Sequence, residues 1–390
     1  MRGEKMKIVA AIDSFKGSLT SAEAGNAAAE GIKRVFPEAE IVIMPLADGG
    51  EGTVKALVSG LGGQLRSVNV SDPLGRRISA EYGILPGNTA VIETAAASGL
   101  TLLTEDERDP MHTTTYGTGE LILDAIDNGC RSFIIGIGGS ATNDGGVGCL
   151  QALGFGMLDT HDRQVGYGAG GVSQLAQITT DNVIPELKSC RFHVACDVNN
   201  PLCGENGCSA VFARQKGADD ETIREMDGYL RRYAALSRVL IPEADPDTAG
   251  AGAAGGLGFA LMYFLHAKPE PGADLIIRET NLEEAVRAAD IVITGEGCLD
   301  SQTAMGKAPV GAARLAKKYR KPVIAFCGSV RDVAELCNGY GIDAYFPVLR
   351  SICTLEEAMD RNNAYKNLAD TAEQVFRTIS AVRHLKGGAL

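Results

Sequence analysis

No apolar stretch in this 390-residue chain approaches the roughly 18 residues that would suggest a membrane span. Basic charge is in short supply. A formal charge of −12 leaves no general surface for nucleic acid or anionic membrane. Ten cysteines are present, but no Cys-x-x-Cys occurs. Cys130, Cys149, Cys196, Cys327 and Cys353 lie in or beside apolar segments, so buried thiols are expected rather than disulfides or a zinc site. The five histidines are scattered and no Gly-x-Ser-x-Gly elbow exists, which argues against a Ser-His-Asp hydrolase. There is no Gly-x-x-x-x-Gly-Lys-Ser/Thr, which excludes a P-loop. Gly250-x-Gly252-x-x-Gly255 matches a dinucleotide fingerprint in spelling only, because Pro242–Pro246 precedes it instead of a strand. Phosphate binding at a helix start and close helix packing both remain open for those glycines. The N-terminus has no signal-peptide plan, so a cytoplasmic location is expected.

What is present is globular. Apolar residues make up 45% and charged residues 22%, and the length favours two domains. Strand-like apolar runs are Lys7–Ile12, Glu40–Pro45, Leu65–Val70, Thr89–Glu93, Ser132–Ile137, Arg191–Cys196, Asp290–Thr294, Pro322–Cys327 and Asp343–Val348. Helical patterns fit Ser21–Val35, Gly52–Ser59, Gly119–Asn128, Asp219–Ser237, Gly256–His266, Leu282–Ala288, Gly306–Tyr319, Val330–Asn338 and Asn363–Val382. Thr20 or Ser21 can cap the first helix and Gly129 can end the third. The two ends of the chain alternate strand and helix. They predict one doubly wound α/β domain with five parallel strands, split in sequence over residues 1–87 and 279–390. Residues 88–278 are expected to form a second, inserted α/β domain.

Acid-and-glycine loops follow the apolar runs. They include Asp13-Ser14-Phe15-Lys16-Gly17, Asp48-Gly49-Gly50-Glu51-Gly52-Thr53, Gly138–Gly146, Asp197–Gly207 and Gly295–Lys307. Open α/β sheets bind ligands beyond the carboxyl ends of their strands. Glycine there lets backbone N–H groups approach a ligand, and carboxylates suit Mg²⁺. Gly138, Gly139 and Ser140 supply N–H and hydroxyl donors, while Asn143 and Asp144 add an amide and a carboxylate. Asp197 leaves a strand end with Asn199 and Asn200 behind it. Lys16, Lys216 and Lys307 offer ammonium groups. Together these loops suggest an enzyme that handles small phosphorylated anions.

In this order the loops resemble those of the type I glycerate kinases, from Asp13–Gly17 through Gln215-Lys216-Gly217 to Thr294–Lys307. The resemblance implies a flavodoxin-like domain, split in sequence, plus an inserted α/β domain. It also implies ATP- and Mg²⁺-dependent phosphorylation of D-glycerate, with 2-phosphoglycerate favoured over 3-phosphoglycerate. On that reading Asp197, Asp300 and Lys16 are the catalytic candidates, and Asp144 and Asp197 are the metal candidates. Asp48, Gly49, Gly50, Glu51, Gly138, Gly139, Ser140, Asn143, Asn200, Lys216, Gly295, Glu296, Gln302 and Lys307 are the substrate and nucleotide candidates. Cys298 stands where the family looks to prefer Arg. The expected partners are small molecules only, with the chain a monomer or small homo-oligomer. The competing readings are a sensor of the same fold that binds without turnover, and a dehydrogenase.

Overall fold

The computed structural model describes residues 5–304, 306–331 and 334–385. The chain divides into two compact units, one of residues 1–48, 59–61 and 273–390, the other of residues 49–58 and 62–272.

The first unit holds a five-stranded sheet of β1 (Lys7–Ile12), β2 (Glu40–Ile43), β11 (Ile291–Leu299), β12 (Val323–Val330) and β13 (Ala344–Pro347). Their order is β13-β12-β11-β1-β2, and all pairs are parallel. Successive side chains in a strand point to opposite faces, and here both faces are buried. Val9, Ala11, Val292 and Ala325 pack on one side with the helix Ala308–Lys318. Ile8, Ala10, Ile12 and Ile293 pack on the other with the helices Ser21–Lys33 and Arg361–Leu385. Thr20 caps the helix Ser21–Lys33 in a reciprocal capping box with Glu23. Numbered within the unit, the strand order is 2-1-3-4-5, the flavodoxin-like arrangement, with its switch point between β1 and β11.

The second unit contains β3 (Gln64–Ser71), β4 (Arg77–Leu85), β5 (Thr89–Glu93), β6 (Ser132–Gly136), β9 (Arg191–Ala195) and β10 (Lys268–Glu270). The sheet order is β10-β9-β6-β5-β4-β3. The β3–β4 and β4–β5 pairs are antiparallel and the rest parallel. A small hairpin of β7 (Gly156–Leu158) and β8 (Gln177–Thr179) stands apart. A large core runs through the unit, with Phe133 stacked on Phe192 at 4.7 Å and Tyr233 edge-on to Phe259, and a small satellite cluster gathers Ala169, Ala213, Ala218 and Met226.

The split doubly wound sheet and the inserted unit match the sequence expectation, but the boundaries differ. Residues 64–85 were placed in the first domain, yet β3 and β4 form a hairpin that hydrogen-bonds to β5 in the second sheet. The crossings therefore fall at 48/49 and 272/273, with residues 59–61 returning to the first unit. β4 went unread because its half-exposed residues show only weak alternation. The helix expected over Val330–Asn338 reduces to the turn Leu336–Gly339, because Val330 still pairs with Leu299 at the end of β12. Asp332 and Val333 lie outside the described residues.

Candidate functional site

In the first unit the carboxyl ends of β1, β2 and β11 gather acids. Asp13 follows β1 directly, Asp48 follows β2, and Glu296 lies on β11. Asp13 is only 6% exposed, and its carboxylate accepts the Ser14 N–H at 2.6 Å. Burial, then the nearby Asp48 and Glu296 charges, push its pKa up to about 7. Glu296 is also buried and rises to about 6, chiefly by desolvation, with Asp300 and Asp48 adding to the shift. The Thr303 hydroxyl donates to Glu296 Oε1 at 2.5 Å, and the Thr303 N–H donates to Asp300 Oδ1 at 3.2 Å. Asp300 thus caps the turn Ser301–Ala304 while its charge bears on Glu296. Lys16 is exposed and pairs with Asp48 at 3.8 Å. Lys307 precedes the helix Ala308–Lys318 as its N-cap, and its charge counters the rise at Glu296.

Several expectations change here. Gly295 and Glu296 are strand residues, not loop residues, because β11 continues to pair with β12 as far as Leu299. A Cβ on Gly295 would lie 2.0 Å from the Phe326 carbonyl oxygen, so this glycine serves close strand packing. The Gln302 side chain lies outside the described residues. Asp13 joins the site although the sequence motif Asp13–Gly17 points first to Lys16. The signal was there: a carboxylate immediately after a buried strand, as at Asp197.

In the second unit the Gly49–Gly50 turn lies against the ends of β6 and β9. A Cβ on Gly136 would meet the Gly49 carbonyl oxygen at 2.2 Å, and one on Gly49 would meet Ala195 Cβ at 2.3 Å. Gly138 also lies beside Gly50. These glycines therefore bring the two predicted loops together through backbone contact. Glu51 is exposed and belongs to this unit, not to the split one as expected. Glu93, at the end of β5, accepts the Val54 N–H at 2.7 Å, and burial raises its pKa. Asp197 is exposed at the end of β9, and its Oδ1 accepts the Gly272 N–H at 2.9 Å. Asn200 donates to the Asn206 carbonyl within its own loop.

The Gly138–Gly146 loop is built around two buried charges. Lys216 is 2% exposed. Its Nζ donates to Ser140 Oγ at 2.9 Å and to the Thr142 carbonyl at 2.7 Å. Desolvation brings its pKa down to about 8, against smaller opposing effects from Cys208 and Asp144. Asp144 accepts the Thr115 N–H and hydroxyl at 2.8 and 2.9 Å, the Gly146 N–H at 3.0 Å and the Gly148 N–H at 3.2 Å. Its carboxylate is enclosed by donors, and burial raises its pKa. That geometry orders the loop and does not fit the metal role expected of Asp144. Asn143 donates to Ser209 Oγ at 2.8 Å, while its Oδ1 and the Thr142 hydroxyl are buried without a hydrogen-bond partner. Gly255 and Gly256 pack on this loop, with a Cβ on Gly255 only 2.0 Å from the Thr142 carbonyl oxygen. Of the two readings left open for Gly250, Gly252 and Gly255, close packing is the one this geometry supports.

Among the described residues, no three His, Cys, Asp or Glu side chains gather into a group that could hold a metal. Mg²⁺ does not need such a cage, because it is commonly bound by one or two carboxylates, substrate phosphates and waters. Asp13, Asp48 and Glu296 supply hard oxygen donors of the right kind.

A flavodoxin-like sheet with acids at its switch point, in a chain whose second α/β unit carries a donor-lined loop, defines an enzyme class that works on small anions. Comparison with known proteins narrows the class. A model of the glycerate kinase family matches residues 8–380, and the chain belongs to that family. It is 46% identical over 376 residues to glycerate 2-kinase of Escherichia coli, covering 96% of this chain and 98% of that one. It is 45% identical over 380 residues to glycerate kinase of Haemophilus influenzae, covering 97% and 100%. A solved structure of a candidate glycerate kinase 2 from Salmonella typhimurium LT2 superposes with a TM-score of 0.89 at 45% identity, covering 97% of this chain and all of that one. These matches overturn the type I label drawn from the loop motifs. Loops of glycine and acid report the family's architecture, not its subdivision.

Proposed function

We propose that this protein is a glycerate kinase, transferring the γ-phosphoryl group of ATP to a hydroxyl of D-glycerate to give phosphoglycerate. The observation that carries the reading is the identity of 46% over 96% of the chain to a protein named glycerate 2-kinase. That name also favours the 2-hydroxyl as acceptor. Phosphoryl transfer needs positioning and charge neutralisation more than covalent chemistry. The site residues are of those types.

Within the first unit, one or two of the carboxylates of Asp13, Asp48 and Glu296 would hold Mg²⁺, which would neutralise phosphate charge when bound. Lys16 and Lys307 add positive charge for the nucleotide phosphates. Asp300 holds Thr303 in place for Glu296. In the second unit, Asp197 is the proposed base for the acceptor hydroxyl, with one oxygen fixed by the Gly272 N–H and an exposed carboxylate. Ser140 and the glycines around it are the proposed donors to a substrate oxyanion. No described helix is long and apolar enough to cross a membrane.

The test is turnover of ATP with D-glycerate and Mg²⁺, followed by phosphorus NMR of the product. The expected product is 2-phosphoglycerate, and Asp197→Asn should cut kcat by on the order of 10²-fold. D-glycerate binding without any phosphoglycerate would replace the kinase with a sensor.

A further inference from the structure

We infer that Lys216 acts through Ser140. Its buried ammonium fixes the Ser140 hydroxyl as a hydrogen-bond donor to an oxyanion of the substrate, which makes Lys216 a positioning residue. The inference rests on the kinase reading for the identity of that substrate, and on the geometry for everything else.

A lysine ammonium has three protons to donate and no lone pair to accept with. At 2.9 Å from Lys216 Nζ, Ser140 Oγ must therefore be the acceptor. A serine hydroxyl that accepts there still carries its own proton. No acceptor for that proton is found among the described residues. The polarity of Ser140 is thus set from behind, and the proton is left for a group that brings a lone pair. A carboxylate or a phosphate oxygen is that group, since both present unprotonated acceptor oxygens at neutral pH.

The surroundings are built for the purpose. A second ammonium bond, to the Thr142 carbonyl at 2.7 Å, pins the same turn two residues on. Gly139 takes a left-handed conformation with φ of 73°, which turns the chain just before Ser140. Lys216 is brought in by the short helix Arg214–Lys216, which ends at Gly217 with φ of 102°. A Cβ on Gly217 would lie 2.0 Å from the Arg108 carbonyl oxygen, so this turn has no slack. The adjacent Asn143 Oδ1 and Thr142 hydroxyl are buried and unpartnered, a second sign that the loop is incomplete in its polar bonding without further molecules.

The ionisable groups that bear on Lys216 are the Asp144 carboxylate and the Cys208 thiol. Asp144 is already engaged by Thr115, Gly146 and Gly148, so it balances charge without taking an ammonium proton. Desolvation leaves the ammonium with a pKa near 8, lowered from 10.5. Below that pH Lys216 can only donate. Above it the neutral amine gains a lone pair, can accept from Ser140, and the hydroxyl is no longer committed to the ligand. Affinity for the oxyanion should therefore fall as pH rises through the pKa.

The experiment uses the full chain, with D-glycerate and Mg·ATP varied separately, and with calorimetric binding of D-glycerate and of inorganic phosphate as a readout independent of turnover. Ser140→Ala should raise the KM of one of the two substrates about 10-fold, the scale of one hydrogen bond to a charged group, with kcat within about threefold. The substrate affected identifies the anion: D-glycerate for a carboxylate, ATP for a phosphate. In the parent protein that same KM should climb between pH 7 and 9, and Ser140→Ala should abolish the climb. Lys216→Met should raise the same KM. If that variant fails to fold, the pH profiles of the parent and Ser140→Ala still decide. Unchanged binding of both probes by Ser140→Ala at pH 7, or a pH dependence that survives in it, would overturn the inference even with normal turnover. If the parent makes no phosphoglycerate but Ser140→Ala loses binding of either probe, the kinase reading falls and the inference stands.

Discussion

At Asp13 the fold keeps a carboxyl group where ionisation is costly. Its pKa rises from 3.8 to about 7, through burial and the neighbouring Asp48 and Glu296. Between those two values the folded protein binds a proton that the unfolded chain has released. Stability contributed by this site therefore falls as pH rises from about 4 to 7, and stays low above that. At about 1.36 kcal/mol per unit the cost at pH 8 is on the order of 4 kcal/mol. Asp13→Asn removes the ionisable group. In chelated, ligand-free protein it should be more stable than the parent at pH 8, and the gain should shrink towards zero near pH 4. Urea midpoints at the two pH values check this, and an equal gain at both would refute it. The same variant should lose kinase activity. The sequence places Asp13 and Asp197 alike, each just after a buried run. It does not reveal the burial that separates them, because Asp48 and Glu296 reach Asp13 through strand pairing. Gln215-Lys216-Gly217 offers an ammonium already in the sequence, but only packing shows that ammonium buried beneath Ser140.

Elements were more legible than their boundaries. The apolar runs at both ends of the chain became the five parallel strands, and the Thr20 cap and Gly129 stop are where capping chemistry put them. Gly295 and Gly297 misled, because glycine next to acid reads as loop when neighbouring strands are unknown. Gly31 shows the same dependence on partners. It sits in the helix Ser21–Lys33 where Ala369 and Ala372 of the helix Arg361–Leu385 pack against it. A Cβ there would lie 2.0 Å from the Ala369 carbonyl oxygen. Alanine favours an isolated helix over glycine by about 1 kcal/mol, but the overlap is with backbone and cannot be relieved by a rotamer change. Gly31→Ala should therefore destabilise by about 1–3 kcal/mol net, with KM for both substrates unchanged. A rise in thermal midpoint would show that the two helices can separate cheaply, and would remove the packing argument.

The whole molecule has an asymmetry in how its units are encoded. The first unit cannot close until β1 pairs with β11, from Ile8↔Ile291 to Ile12↔Gly295, so it needs both ends of the chain. The second is nearly continuous, and its core runs from Val70 to Ala267 without a residue from outside. Insertion of one unit into the other was legible from strand order, while the boundary was not, because a β-hairpin carries no mark of the sheet it will join. The encoding has a consequence for folding. A fragment from Gly49 to Gly272 retains the six-stranded sheet and the Ser140–Lys216 pair, and should fold alone with a cooperative thermal transition. The two segments of the first unit, expressed separately, should not. If the Ser140 hydroxyl serves an oxyanion from within this unit, the fragment should also be stabilised by D-glycerate or phosphate, by about 2.7 kcal/mol at a hundredfold excess over Kd. Circular dichroism melts with and without each anion give the answer. A fragment that shows no cooperative melt would mean that parts of the first unit outside residues 49–272 are required. A fragment that melts cooperatively but ignores both anions would confine the fault to the oxyanion assignment.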